Sequence, residues 1–286
     1  MSDPVFVPEA VADLAEAYPE QPVPLRHRLS GHPLLQPDAL IALAGRMRPD
    51  DMLCFRGDIA VDPGRAGAPP NGLSAAETIR SIATNRSWMV FKAADQDPDY
   101  GQLLDGLLGE VAAVVEPVTG PMLGREAFIF VSSPGSVTPF HMDGEHNILL
   151  QLTGEKRMTV FPADDENLAP GEAHEAFHLE GHYNLVWRDD FAARGTAFRL
   201  TPGEALYVPV KAPHWVKNGT EPSISLSITW RSAWSYEEQY ARQMNAMMRR
   251  FGLDPAAPKR FPHRNRAKSL AWRTVEKARR TLGGAG

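Results

Sequence analysis

Apolar residues recur at helical spacing in the first and last parts of this 286-residue chain, with short strand-like runs between them. Leu40, Leu43, Ala44 and Met47 share a helical face, closed at Arg48-Pro49 because proline turns its predecessor out of the helix. Ser74 with Glu77 predicts a capping box, with Ile79, Ile82 and Ala83 as the apolar face behind it. Asp97-Pro98 predicts an N-cap and first helical position, and Tyr100, Leu103, Leu104, Leu107, Leu108 and Val111 continue one face. Between these helices Ser87 to Phe91 reads as a strand, and the Gly/Pro-rich stretch 63–70 as a loop, so the first part is mixed and mostly helical.

From Glu126 the pattern changes. Ala127 to Val131 predicts a strand, turned by Ser133-Pro134-Gly135. Asn147 to Leu152 and Lys156 to Phe161 predict two strands joined as a tight hairpin through Thr153-Gly154-Glu155. Phe198 to Leu200, Ala205 to Val208 and Ser223 to Trp230 continue the series, with Pro202-Gly203 between the first two. Short strands between Gly/Pro turns predict a sandwich or barrel of the jelly-roll kind. The stretch from Pro162 to Arg194 reads as a long irregular segment, a length typical of lids. After Trp230 helical spacing returns. Ser235 with Glu238 predicts a capping box, Tyr236, Tyr240, Met244, Met247 and Phe251 an apolar stripe, and Gly252 its stop. A last helix from about Ala267 puts Ala271, Val275, Ala278 and Leu282 on one face. The expected division is 1–120, an N-terminal mixed segment packing on a barrel; 121–234, the barrel; and 235–286, C-terminal helices with a basic tail.

Within this β-rich region lie His141-Met142-Asp143 and, far along the chain, His214 after Pro209 and Pro213. Residues two apart on a strand share a face, which lets His141 and Asp143 both look into a barrel, and His214 begins another strand. Two imidazoles and a carboxylate make a 2-His-1-carboxylate facial triad, which leaves metal positions open and points to non-haem Fe(II). A bare His-x-Asp arises often by chance; the distant histidine at a strand start is what gives it weight.

Composition adds limits. With 43% hydrophobic and 23% charged residues the chain has the make-up of a soluble globular protein, and its net charge of -5 predicts little beyond solubility. Cys54 is the only cysteine, which excludes an internal disulfide and predicts a reducing compartment. The start of the chain lacks a basic n-region and no apolar run approaches the length of a membrane span, so a cytoplasmic protein without a membrane partner is expected.

Thr138-Pro139-Phe140-His141-Met142-Asp143, Asn147, Gly154-Glu155-Lys156-Arg157, Val160-Phe161-Pro162 and the run Pro202 to Pro209 leading into His214-Trp215 together resemble the JmjC/cupin-8 (cupin-like domain) family. The resemblance covers roughly Phe128 to Trp230. It implies a double-stranded β-helix and an Fe(II)/2-oxoglutarate-dependent oxygenase that uses O2 to hydroxylate a C–H bond in a protein or small-molecule substrate. It further implies that Lys156 pairs with the distal carboxylate of 2-oxoglutarate, that Thr138 bonds the same carboxylate, and that Asn147 and Thr229, with Ser227, line the cosubstrate pocket. Family members often carry an amide on that last strand, and Ser223 to Trp230 has none.

Other signals count for less. His174, His178 and His182 recur every four residues, but Gly171 and Gly181 flank them, and surface or lid histidines are expected. His146 has the wrong parity to join the triad. The basic tail, from Lys259 to Arg280, admits nucleic acid as a partner, with a solvated helix face the commoner reason. The Tyr/Met stripe packs on the barrel or forms a homodimer seam. Two alternatives to the oxygenase stand: a non-catalytic cupin-like regulatory or binding protein, and a cupin metalloenzyme that does not use 2-oxoglutarate.

Overall fold

In the computed structural model, which describes residues 3–64, 67–181 and 184–283, the strand-like runs form two facing antiparallel sheets. The chain runs α1 (Pro8–Ala17), β1 (Val23–Arg26), α2 (Pro37–Ala44), β2 (Met52–Arg56), α3 (Ala75–Arg80), β3 (Ser87–Phe91), α4 (Pro98–Thr119), β4 (Leu123–Ser132), β5 (Val137–His141), β6 (His146–Thr153) and β7 (Lys156–Val160). It continues through α5 (Gly171–Glu180), β8 (Thr196–Leu200), β9 (Glu204–Val208), β10 (His214–Asn218), β11 (Ser223–Arg231), α6 (Ala233–Arg250) and α7 (Arg266–Gly283). The larger sheet has the order β1-β9-β6-β11-β4-β3-β2 and the smaller β5-β10-β7-β8. This is the expected jelly roll with helical flanks. No helix among the described residues is long and apolar enough to cross a membrane.

Alternation along each strand sorts its side chains between two layers. On β11, Ile224, Leu226, Ile228 and Trp230 pack outward against a core that includes Leu14 of α1, Leu40 of α2 and Leu104, Leu108 and Val111 of α4. Ser223, Ser225, Ser227 and Thr229 fall on the opposite face, toward the smaller sheet, and are equally buried. Leu149, Leu206 and Val208 of the larger sheet meet Met158, Val160, Leu200 and Val216 of the smaller in the interior. A third cluster, with Phe140, Phe161 and Phe191, lies under the 162–194 segment.

Ser74 caps α3 through the reciprocal box with Glu77, Asp97 caps α4, and β3 spans Ser87–Phe91 as read from the pattern. Several expectations are corrected. Thr153-Gly154-Glu155 does not close a hairpin: β6 belongs to the larger sheet and β7 to the smaller, so the turn crosses from one to the other. Gly154 serves it with a φ of 66° and a Cα so near the Pro222 carbonyl that a Cβ would stand 2.3 Å from its oxygen. The first part is mixed and mostly helical, as its spacing suggests, but β1 and β2 join β3 in extending the larger sheet, which the spacing does not show. The 162–194 segment contains α5 and a short 3-10 turn at Asp189–Arg194.

At the C-terminal helices the cap of α6 is Ser232, reciprocally bonded with Ser235, because Glu238 is drawn inward to other partners. The buried face of α6 carries Trp234, Glu238, Ala241, Arg242 and Asn245, whereas the Tyr236, Tyr240, Met244 and Met247 stripe is half-buried and Phe251 is 78% exposed. On α7 the buried residues are Ser269 and Trp272. Ala271 and Val275 are half-buried and Ala278 is exposed; the Leu282 side chain lies outside the description. Arg273, Lys277, Arg279 and Arg280 face solvent.

Candidate metal centre

His141 ends β5, His214 begins β10, and the two are register partners, so ordinary strand pairing brings residues far apart in sequence side by side. Their ring centroids are 4.1 Å apart. Asp143 lies just past the end of β5 and not on it, which corrects the strand-parity argument; the turn still brings its carboxylate to the same place. Asp143 Oδ2 stands 3.5 Å from His214 Nε2 and 3.9 Å from His141 Nε2. Among the described residues these three alone form a group of such side chains with ligand atoms all within 4.8 Å of one another.

Both rings are oriented from behind. His141 Nδ1 lies 2.7 Å from the Pro139 carbonyl oxygen and His214 Nδ1 2.9 Å from that of Ala212. An Nδ1–H donated to each carbonyl leaves the Nε2 lone pair facing the centre, as a metal ligand requires. Burial, and then the neighbouring His141, push the His214 pKa down to about 4, so its ring is neutral at ordinary pH. The buried His214 forms the floor and the Asp143 side chain, 32% exposed, the open side. This arrangement can hold a divalent ion with positions free for other ligands.

Along the barrel interior from this centre lies Lys156. In register, His214 pairs with Val160, Val216 with Met158 and Asn218 with Lys156, which places the lysine four residues along β7, about 13 Å of strand. Lys156 is buried, and its Nζ donates to Ser225 Oγ at 2.7 Å and lies 5.9 Å from the centre of the Phe130 ring. Among the described residues no carboxylate pairs with it, and burial lowers its pKa to about 7.

Thr138, half-buried on β5 opposite Val216, shares this inner face. Asn147 is buried opposite Thr229, and its Oδ1 accepts from Ser227 Oγ at 2.6 Å, leaving the amide hydrogens as donors. Thr229 also faces inward, but its hydroxyl donates to the Glu126 carbonyl at 3.2 Å, which makes it a wall and weakens its expected part as a hydrogen-bonding group. Ser225 was not anticipated. The alternation that put Ser227 and Thr229 inside already placed it on the same face, and only the cross-barrel reach of Lys156 gives it a partner.

His146 lies on the far side of the sheet, away from the triad as expected, but it begins a new strand after the turn, so parity with His141 is not the reason. It is bonded to Tyr207 at 2.9 Å and Ser232 at 3.1 Å. His174 and His178 are not surface residues. Helix α5 forms, their spacing turns both toward α6, and burial pushes their pKa values down to about 2 and about 4. His182 lies outside the described residues.

One residue beside the centre is conformationally unusual. Lys211, in the connection that leads to His214, is buried and has a φ of 59°, a left-handed conformation that costs a non-glycine residue about 1–2 kcal/mol. Its backbone N–H donates to the Asp143 carbonyl at 2.7 Å, and its Nζ lies 2.7 Å from Glu238 Oε2 on α6.

The family described as Cupin-like domain matches residues 75–236. Among curated proteins the chain is similar to Jumonji C domain-containing protein 5 of Drosophila melanogaster, 36% identical over 106 residues that cover 34% of this chain and 25% of that protein. It is also similar to Lysine-specific demethylase 8 of Danio rerio, 32% identical over 102 residues, 34% of this chain and 25% of that one. The chain thus matches about a quarter of the length of these relatives. Among solved structures, the X-ray structure of Escherichia coli YcfD aligns with a TM-score of 0.56 at 18% identity, over 97% of this chain and 68% of that one. A structure of YcfD described as a ribosomal oxygenase in complex with cobalt and 2-oxoglutarate aligns at 0.52 and 15% identity, over 97% and 68%. At such identities the likeness is one of fold.

Proposed function

The chain belongs to the cupin-like, JmjC-type domain family, and on that premise we propose that it is an Fe(II)- and 2-oxoglutarate-dependent oxygenase that hydroxylates a C–H bond of a protein or small-molecule substrate. One observation carries the reading. A single barrel holds two backbone-oriented imidazoles and a carboxylate at one end and, further along its interior, a buried lysine amine that no carboxylate among the described residues pairs with.

The donor set fits the metal. Two neutral imidazoles with one carboxylate suit Fe(II) and leave positions for other ligands. His141, Asp143 and His214 hold it, and iron, when bound, supplies the redox chemistry with O2 that a protein side chain cannot. The buried lysine fits the cosubstrate, since a charge-assisted bond to a carboxylate gives the ammonium a partner that it lacks among the described residues. Lys156 takes the distal carboxylate of 2-oxoglutarate, with Ser225 fixing the direction of the ammonium. The Thr138 hydroxyl and the Asn147 amide donate to the same molecule, and Thr229 closes the wall behind it. Met158 and Val216, which lie between Lys156 and His214 in register, keep water from its carbon chain. The overall balance converts one C–H to C–OH and one 2-oxoglutarate to succinate and CO2 for each O2. The cobalt and 2-oxoglutarate named with the E. coli structure support the pairing of the two ligands.

The test is binding of 2-oxoglutarate to the Co(II)-loaded protein without O2, followed by succinate release with Fe(II) and O2. Saturable binding is expected, weakened about tenfold or more in Lys156→Met, because the lost charged hydrogen bond is worth about 1.5–3 kcal/mol. Asp143→Ala should abolish succinate release. Equal 2-oxoglutarate affinity in wild type and Lys156→Met removes the anchor and favours a cupin metalloenzyme of another kind.

A further inference from the structure

Asp143 differs from the other two metal-site side chains in its support. His141 and His214 belong to paired strands, whereas Asp143 lies in the turn between β5 and β6, where its peptide carbonyl accepts the Lys211 N–H at 2.7 Å. That donor is itself in a left-handed conformation, with a φ of 59°. A glycine would adopt this backbone freely. A lysine does so only where its surroundings hold it, and here they do. The side chain runs inward, its ammonium 2.7 Å from Glu238 and 5.8 Å from the centre of the Phe177 ring of α5. The other oxygen of Glu238 accepts from Arg242 Nε at 2.8 Å, one turn along α6, and His178 Nε2 faces the first at 3.9 Å. Lys211, Glu238 and Arg242 are all at least nine-tenths buried, so water does not compete for these contacts.

We infer that Lys211 is a positioning residue for the metal carboxylate: its ion pair with Glu238 holds the left-handed backbone whose N–H fixes Asp143. The inference rests on the proposed metal centre and adds to it a link from the C-terminal helix α6 to the ligand that lacks strand support. Without the ammonium anchor, a non-glycine residue at 211 relaxes to an ordinary φ and withdraws its N–H from Asp143. The carboxylate then loses its fixed approach to the two imidazoles.

Co(II) titration of the full chain, followed by the visible absorption of the bound ion with circular dichroism as the check on folding, tests this. Lys211→Met and Glu238→Gln should each weaken Co(II) binding about tenfold, the scale of lost outer-shell support, and shift the absorption bands. Lys211→Arg keeps the ion pair and should bind as wild type does. Lys211→Gly loses the ion pair but keeps the backbone accessible, so it should bind more tightly than Lys211→Met. Wild-type affinity in Lys211→Met overturns the inference, as does equal weakening in the Met and Gly variants, which traces the effect to charge alone. Should Lys211→Met not fold, wild-type affinity and spectrum in Glu238→Gln overturn it equally. If wild type itself binds no Co(II), the proposed metal centre fails and the inference with it; if wild type binds and the variants match it, only the inference fails.

Discussion

Lys156 is an amine buried beside the Phe130 ring with the Ser225 hydroxyl as its hydrogen-bond partner among the described residues, and its pKa of about 7 has a consequence for ligand binding. The folded value lies below the ordinary lysine value of 10.5, so the ligand-free protein resists charging this group. Its penalty on stability is full below about pH 7 and fades as pH rises toward 10.5. A dicarboxylate reverses the preference and binds the protonated form. Affinity for 2-oxoglutarate should be level below about pH 7 and fall up to roughly tenfold per unit above it, with a proton taken up on binding. Calorimetry between pH 6 and 9 in buffers of different ionisation enthalpy measures both, and a flat profile in wild type counts against the anchor. At this scale the sequence was readable where periodicity decides: Ser225, Ser227 and Thr229 alternate with Ile224, Leu226 and Ile228, and the inner face follows. Where a hydroxyl spends its hydrogen bond is not periodic information, and Thr229 spends its own on Glu126.

For whole elements, alternation tells which face a residue takes but not which strand lies beside it. Two apolar runs flanking a Gly turn read as a hairpin in β6 and β7, yet the turn passes between sheets. Its geometry is demanding. Gly154→Ala would force a side chain into a left-handed residue with its Cβ 2.3 Å from the Pro222 carbonyl oxygen. A loss of about 2–4 kcal/mol is expected, seen as a lower denaturation midpoint in urea with the slope unchanged. The start of α6 shows a different ambiguity. Ser232 with Ser235 and Ser235 with Glu238 both have cap spacing, and the choice falls to the first because Glu238 is held by Lys211 and Arg242 in the interior. A buried ion pair far apart in sequence leaves no local pattern.

For the molecule as a whole, the centre forms only where both sheets are complete, since His141 and His214 come from paired strands and Lys156 reaches across to Ser225 on the other sheet. Ligands that bind this folded arrangement alone must stabilise it. At a hundredfold excess over Kd each contributes about 2.7 kcal/mol. Co(II) with 2-oxoglutarate should therefore raise the melting temperature by roughly 5 °C or more, and Asp143→Ala should remove the response to metal. The jelly roll was legible from short strands between Gly/Pro turns. That β1, β2 and β3 would widen the larger sheet was not, because pairing with β9 and β4 is decided by distant partners. Val160 at the end of β7 and Thr196 at the start of β8 are direct cross-strand partners, so the excursion between them departs from and rejoins this strand pair at one doorway. That excursion includes α5 and the 3-10 turn but none of the three metal-site residues, nor Lys156. The chain thus separates a hearth from a hood. The excursion is also latched to the centre, because Asn184 bridges to His141 and the Leu185 N–H donates to the Phe140 carbonyl at 2.8 Å, so a hood grafted at that doorway keeps the hearth intact only if it carries the latch with it.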